Sequence, residues 1–543
     1  MKHSHYHRFS PFIICIFLII SCIICPKSLL AKSNEKELFL VAQKAFQDGF
    51  YDVAIRYIEQ LVKEHPQTQK RVQANLLLGQ CYFFQSQYLK AYDIFNELLN
   101  YTDYKDATLF WLGETFLKGA DYKQAEKQYK QLISLYPKST YAPQAYYSLG
   151  WNYFERENYN DAKAMFVELI ARFPKHQLSE DAAFKLGETE YNLQNYEDAI
   201  DFFSQYVFEY KQSRRKAEAL FYIGESYYYL EKYLDAVTYY AKASELAYDK
   251  KLTLMSQISL GWSYLKLKKY NLSEQHFEQA EQFANEKQIL SDDVYLGQAT
   301  LYSDTQQHNK ALKAYEHLIK AFPDSKRTID ALLGKANIHY LLEDYALASK
   351  AYLSLIEKLT LLLTQTENVI EKRSINEIFE KAYFGLAWSY LKDGLIDKSI
   401  KTFEAIKNKT DNNTVKISAL TQIGDAYQDI GQLEKAIDVY DQILKSYPDS
   451  IYIDYVQYRQ GIALLKMDNI QAATLSFQTL KSNFKNSKYL HDVHYYLGVA
   501  YFKKEDWGAA RSEIEKFIND QTTNQDNFLV ESYFILGLSQ YNL

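Results

Sequence analysis

Few of the side chains able to act as nucleophiles, bases or metal ligands stand at useful spacings. His491 and His494, in HDVH, lie one helical turn apart. Two imidazoles are too few for a transition-metal site without further ligands close by, so both read as solvated helix residues. His3, His5 and His7 (HSHYH) precede a long apolar run and belong to a leader rather than to a metal site. Cys81 has no recognisable base partner and reads as a small buried thiol. There is no Gly-rich phosphate loop, no Gly-x-Ser-x-Gly and no His-Glu-x-x-His. No catalytic residue, metal or cofactor is expected. The chain reads as a binding protein.

The N-terminus reads as an address. Lys2 and Arg8 precede the apolar run Pro11–Cys25, which Pro26 ends before KSLLA. A basic segment, an apolar segment and a small residue at Ala31 make a secretory signal peptide over 1–31. LIISC (Leu18–Cys22) also fits a lipobox with Cys22 as the lipidated residue. An uncleaved anchor is the third reading. All three export the chain, to the periplasm or the membrane-associated cell envelope. A chain processed after Ala31 loses Cys15, Cys22 and Cys25, and Cys81 alone cannot form an intrachain disulfide.

The elements that must position any binding surface emerge from composition and period. Pro (8) and Gly (18) are scarce in 543 residues, which disfavours turn-rich β folds. Aromatics make up 16%, including 50 Tyr, too many for a disordered chain. The net charge of −6 is evenly spread with no basic stripe, so nucleic acid is not an expected partner.

A small residue recurs as Ala42, Gly79, Gly113, Gly150, Gly187, Gly224, Gly261, Ala299, Gly334, Ala387, Gly424, Gly461 and Gly498, most often 37 residues apart. Twelve residues on, every repeat has Ala or Ser, from Ala54 through Ala199 and Ala346 to Ala510. Sixteen on, ten of the thirteen are aromatic, among them Tyr129, Phe166, Phe203 and Tyr440. Three on, Tyr recurs, as at Tyr82, Tyr153 and Tyr227.

Apolar residues at i, i+3, i+4 and i+7 flank each small residue, so each repeat is two amphipathic helices, A and B. Small residues on both let the backbones approach, and the aromatics fill the space around that contact. Pro66, Pro137, Pro174, Pro323 and Pro448 share one phase and stop helix B. Ser139, Ser325 and Ser450, two residues after such a Pro, are placed to cap the next helix A.

Small–Tyr–Ala–aromatic–Pro at these offsets resembles the tetratricopeptide repeat, over residues 35–520. The resemblance implies an all-α fold: a right-handed α-solenoid superhelix of about 13 helix pairs, with Asn527–Tyr541 as a C-terminal capping helix. The 37-residue spacing, with YPKSTYAPQAYYSLG and YPDSIYIDYVQYRQG between units, is similar to bacterial cell-envelope members of the family. Those include the lipoprotein of the outer-membrane β-barrel assembly machine and the Tol–Pal coordinator, both much shorter than this chain. One spacing of 53, from Gly334 to Ala387, breaks the array. Leu359–Ala382 reads as a lengthened helix B or an added helix. The expected organisation is a leader (1–31), an N-terminal array (32–358), a helical insertion (359–382) and a C-terminal array with its cap (383–543).

The resemblance places the A helices on a concave face. The residue after the small one is never Asn, which argues against a clamp for a C-terminal carboxylate. Instead the column holds Trp151, Trp262 and Trp388, with acidic positions at Glu114, Glu188 and Glu225. Tyr147, Phe184 and Phe221 stand three residues before the small one. These nine residues are the candidate groove for protein partners, envelope proteins or extended or helical peptides, and glycan faces would suit the same wall. The competing reading is that the rings only pack one helix A on the next. The expected function is a noncatalytic protein-binding scaffold of the bacterial cell envelope, in outer-membrane or envelope assembly. The alternative is a periplasmic accessory subunit of polysaccharide or cell-wall synthesis or export.

Overall fold

A computed structural model describes residues 34–519 and 528–543. The leader expected at 1–31, with Cys22, lies outside the described residues. Those described form 27 α-helices and no strand. None of these helices is long and apolar enough to cross a membrane. The chain divides into two compact units, one up to Thr253 and one from Leu254 onward.

The repeat centred on Gly150 shows why the sequence folds this way. Helix A, Ala142–Glu155, starts with Pro143 in its first turn, where the missing N–H costs nothing. Helix B, Tyr159–Arg172, buries Ala162, Phe166 and Leu169, an i, i+4, i+7 stripe. Phe173 ends it beside Pro174. Between the helices Glu157 takes φ of 57°, and the residue seven after the small one does the same throughout the array, as at Gln194, Glu231 and Gly431. An aromatic pair clamps many of these turns: Phe154 meets Tyr159 at 5.4 Å, Tyr191 meets Tyr196 at 5.7 Å, and Tyr228 meets Tyr233 at 5.3 Å, all edge-on.

The small-residue column is a ring contact. A Cβ built on Gly150 would lie 2.6 Å from the Phe166 ring, on Gly187 2.8 Å from Phe203, and on Gly224 2.7 Å from Tyr240. Ala162, Ala199 and Ala236 are fully buried beside them. Within the first unit, consecutive A helices also touch: Lys105–Lys118 meets Ala142–Glu155, which meets Leu178–Asn192, which meets Lys216–Tyr229.

Four expectations are corrected or sharpened. Gly334 does not occupy the small-residue column: it faces Tyr315 of the preceding helix B. Ala336 takes the position, with Ala348 rather than the exposed Ala346 twelve residues on. The reason is that Tyr352, sixteen after Ala336, is the ring that fits.

The extra residues form no separate helix. They lengthen helix B to Tyr345–Gln365 and the next helix A to Val369–Lys392, capped by the Asn368 side chain.

Ser139, Ser325 and Ser450 are not the residues that cap helix A. Their hydroxyls accept from the N–H two residues on, at 3.0, 2.9 and 3.2 Å, and tighten the turn before the helix. Ser139 donates in turn to Asp106 at 2.6 Å, and Ser325 to Asp292, tying each turn to the previous helix A.

The last helix, Leu529–Asn542, buries Ile535 against Tyr495, Ile514 and Phe517. Its outward side is not polar, since Val530, Phe534 and Tyr541 are exposed. Its sequence repeats the pattern of a helix A, apolar on two faces, with Gly537 opening onto empty space.

Candidate functional site

In the first unit, helices Lys105–Lys118 and Ala142–Glu155 flank a cleft of about 440 Å³. Its lining is Glu114, Leu117, Lys118, Tyr122, Tyr147, Ser148, Trp151 and Glu155. Three predicted residues, Glu114, Tyr147 and Trp151, therefore come together here. They do so because both are consecutive A helices that touch, so positions just before and after the small residues Gly113 and Gly150 face one another.

Trp151 is half-buried. Its indole stacks on Phe154, with centroids 5.9 Å apart and planes at 13°. Lys185 places its ammonium 4.5 Å from the Trp151 centroid and 5.0 Å from that of Phe154. Glu188 holds that ammonium at 2.6 Å. Tyr147 leans on Phe166, and burial, with Asp181 nearby, pushes its hydroxyl up to about 12.

The predicted acids have internal partners. Glu114 Oε1 accepts from Tyr129 at 2.7 Å and from Ser148 at 2.6 Å. Glu225 accepts from Tyr240 at 2.6 Å and from Tyr191 at 3.4 Å. Glu188 accepts from Tyr222 at 3.2 Å besides its pairing with Lys185. Wherever the residue sixteen after the small one is Tyr, a polar side chain follows the small residue to receive or approach its buried hydroxyl. Asp425 with Tyr440 (2.7 Å) and Asn337 with Tyr352 (2.6 Å) repeat the arrangement, so with Ala336 in the column Asn does follow the small residue once, against the expectation, and its Oδ1 accepts from the ring beneath. Where the ring is Phe, the hydroxyl is gone and Trp can stand there: Trp262 meets Phe277 edge-on at 5.7 Å, and Trp388 meets Phe403 at 6.2 Å.

Several predicted groove residues are thus corrected. Phe184 has no exposed surface and Phe221 has 6%. Phe184 packs on Phe203 and Tyr206 and Phe221 on Tyr240, so both rings are spent on the core. Glu188 and Glu225 tie helices together. Trp262 and Trp388 lie in the second unit, half-buried against its cores.

The sequence reading missed Leu117, Lys118, Tyr122, Ser148 and Glu155. It followed single columns, whereas a cleft between consecutive A helices draws on several columns at once. A second cleft, of about 540 Å³ in the other unit, is lined by residues that include Thr421, Tyr452, Asp454, Tyr455, Lys488 and Tyr489. None of its lining was predicted.

Among the described residues, His491, His494 and Cys81 each have their own surroundings. His491 packs on Phe517 at 4.4 Å, whereas His494 Nδ1 lies 2.6 Å from Glu513. Cys81 is fully buried, and burial pushes its thiol up to about 12.

Comparison with known proteins agrees with this architecture. Tetratricopeptide-repeat family models match residues 42–107, 181–213, 215–286, 293–325 and 418–450. A model of an outer membrane lipoprotein family (YfiO) matches 102–191 and 454–543. No curated protein matches the chain. Among solved structures, the chain is similar to a tetratricopeptide-repeat protein from Parabacteroides merdae at 16% identity, covering 48% of this chain and 98% of that one, with a TM-score of 0.35. The C-terminal part of a repeat protein from Cytophaga hutchinsonii gives 17% identity, 47% and 98% coverage, and a TM-score of 0.39. The Cut9–Hcn1 hetero-tetramer of the APC/C gives 16%, with 93% and 96% coverage and a TM-score of 0.32. With five stretches matched by its models and the repeat geometry carried through both units, the chain is a tetratricopeptide-repeat protein.

Proposed function

We infer that the chain is a noncatalytic protein-binding scaffold of the bacterial cell envelope. The observation that carries this reading is the open cleft between two A helices, where rings and carboxylates of consecutive repeats converge without forming a reactive centre. Repeat arrays present such surfaces ready-formed, so a partner meets little ordering cost on this side. The envelope location draws on the leader at 1–31 and on the two stretches similar to an outer membrane lipoprotein family. The cleft is offered as part of the partner surface, with Trp151 and Tyr147 as its rings and Glu114 as its inner acid.

Site-specific photo-cross-linking in cells tests the reading. A photoreactive residue at Lys118, on the cleft, is compared with one at Val167, exposed on a helix B. The expected result is envelope-protein adducts from position 118 that are missing from position 167. Identical adducts from both, or none from either, would remove the cleft from the partner surface. A cytosolic pool that retains Met1 would overturn the location.

A further inference from the structure

We propose that the cleft between Lys105–Lys118 and Ala142–Glu155 takes a cationic side chain, arginine or lysine, carried by the protein partner. This deepens the scaffold reading and rests on it.

Three rings, Tyr122, Tyr147 and Trp151, and two carboxylates, Glu114 and Glu155, line the same space. Glu114 spends only one oxygen internally: Tyr129 and Ser148 both donate to Oε1. Among the described residues no donor reaches its Oε2. Glu155 is exposed and makes no ion pair among the described residues. Lys118 is the single cation of the lining and is itself exposed, so the walls carry one more negative than positive charge.

The alternatives fit less well. An apolar guest would cover the Glu114 carboxylate without pairing its free oxygen, and an unpaired buried charge is costly. An acidic guest would bring its charge against two carboxylates. A cation meets both the aromatic faces and the carboxylates, two attractions of the same sign. Lys185, held by Glu188, already sits 4.5 Å from the indole centroid, so the rings that carry the argument for a guest cation are Tyr122 and Tyr147. The volume of about 440 Å³ suits a long side chain with some flanking backbone. Of the two candidates, the planar guanidinium stacks on rings and reaches carboxylates with a fork of donors, so arginine is favoured over lysine.

The test is calorimetric titration of the full chain with five-residue peptides, acetyl-Gly-Ser-Xaa-Ser-Gly-amide, in which Xaa is Arg, Lys, Gln or Glu. The Arg peptide is expected to bind about tenfold more tightly than the Gln peptide, with Lys between them and Glu weakest. Added salt lowers the preference. Glu155→Gln, at an exposed position, should cut it several-fold, and Glu114→Gln should do the same where that variant stays folded by circular dichroism. Equal binding of Arg and Gln, tighter binding of Glu, a preference unchanged in Glu155→Gln, or no binding of any peptide at millimolar concentration would each overturn the proposal. The cross-linking at Lys118 separates the two levels. Adducts there without a cation preference leave the scaffold reading standing and remove this inference; no adducts and no preference remove both.

Discussion

The hydroxyl of Tyr129, at the centre of a helix–helix contact, donates to Glu114 at 2.7 Å, and Ser148 of the next repeat donates to the same oxygen at 2.6 Å. One carboxylate thereby joins helix A, helix B and the following helix A. Burial, reinforced by Glu114, holds the Tyr129 hydroxyl well above its ordinary pKa, so the proton stays on the phenol and the carboxylate only accepts.

This pairing predicts a compensating double mutant. Glu114→Leu leaves a buried phenol without an acceptor and should cost about 1–3 kcal/mol. Adding Tyr129→Phe removes the orphaned hydroxyl, recreates the Phe found in repeats such as that of Phe277, and should recover most of the loss. Denaturant unfolding of the two single variants and the double variant measures the coupling. Additive losses would show that the hydrogen bond is incidental.

The glycine column predicts opposite outcomes at two positions of the same type. Gly150→Ala places a methyl within 2.6 Å of Phe166 and should cost about 1–3 kcal/mol through overpacking. Gly537→Ala, in the last helix, meets nothing within 4 Å and should instead gain up to about 1 kcal/mol of helix propensity. Local amide exchange around each site reads both. Equal effects at the two positions would contradict the ring-contact account.

How much of this was legible beforehand follows from what a column can encode. The Gly150–Phe166 contact was readable because both members recur at fixed offsets and packing admits few alternatives there. The break after Gly334 was misplaced by two residues because a second glycine, serving Tyr315, mimicked the column that Ala336 fills. Glu114 and Glu225 were visible as acids, but their purpose was not. It lies in covariation between the residue after the small one and the ring sixteen after it, which reading each column alone conceals. Phe184 was misread for a related reason: apolar residues on a helix A serve the core and the cleft with the same side-chain types. The Tyr122 and Glu155 contribution depends on two helices meeting side by side, a relation no single repeat contains.

Acid should weaken the second unit at a defined place. Burial alone would raise the pKa of Glu513, but hydrogen bonds from His494 at 2.6 Å and from Lys481 and Lys516, both at 2.8 Å, outweigh it and hold the carboxyl at about 2. A folded value below the unfolded one, 4.5, contributes stability that is complete above that pH and is lost as pH falls through about 2. Glu513→Gln should cost about 2 kcal/mol near neutrality. It should also flatten the stability change between pH 4.5 and 2. Melting of wild type and variant across that range checks the sign; parallel curves would assign the acid sensitivity elsewhere.

The tryptophans provide the sharpest division between core and cleft. Trp262 packs edge-on against Phe277 and touches two core clusters, so Trp262→Ala should open a cavity and cost about 2–3 kcal/mol. Trp151 borders solvent in the cleft and contacts Phe154 and Lys185 rather than the ring beneath its glycine. Trp151→Ala should therefore cost less in stability, about 1 kcal/mol, as the stacking and cation contacts are lost. Its larger effect should fall on capture, with adducts from a photoreactive residue at Lys118 reduced several-fold while those of the Trp262 variant persist below its melting temperature. Comparison of the two melts with the two cross-linking yields decides the matter. If Trp151→Ala melts as early as Trp262→Ala and still captures the same partners, its ring belongs to the core and the cleft loses its principal wall.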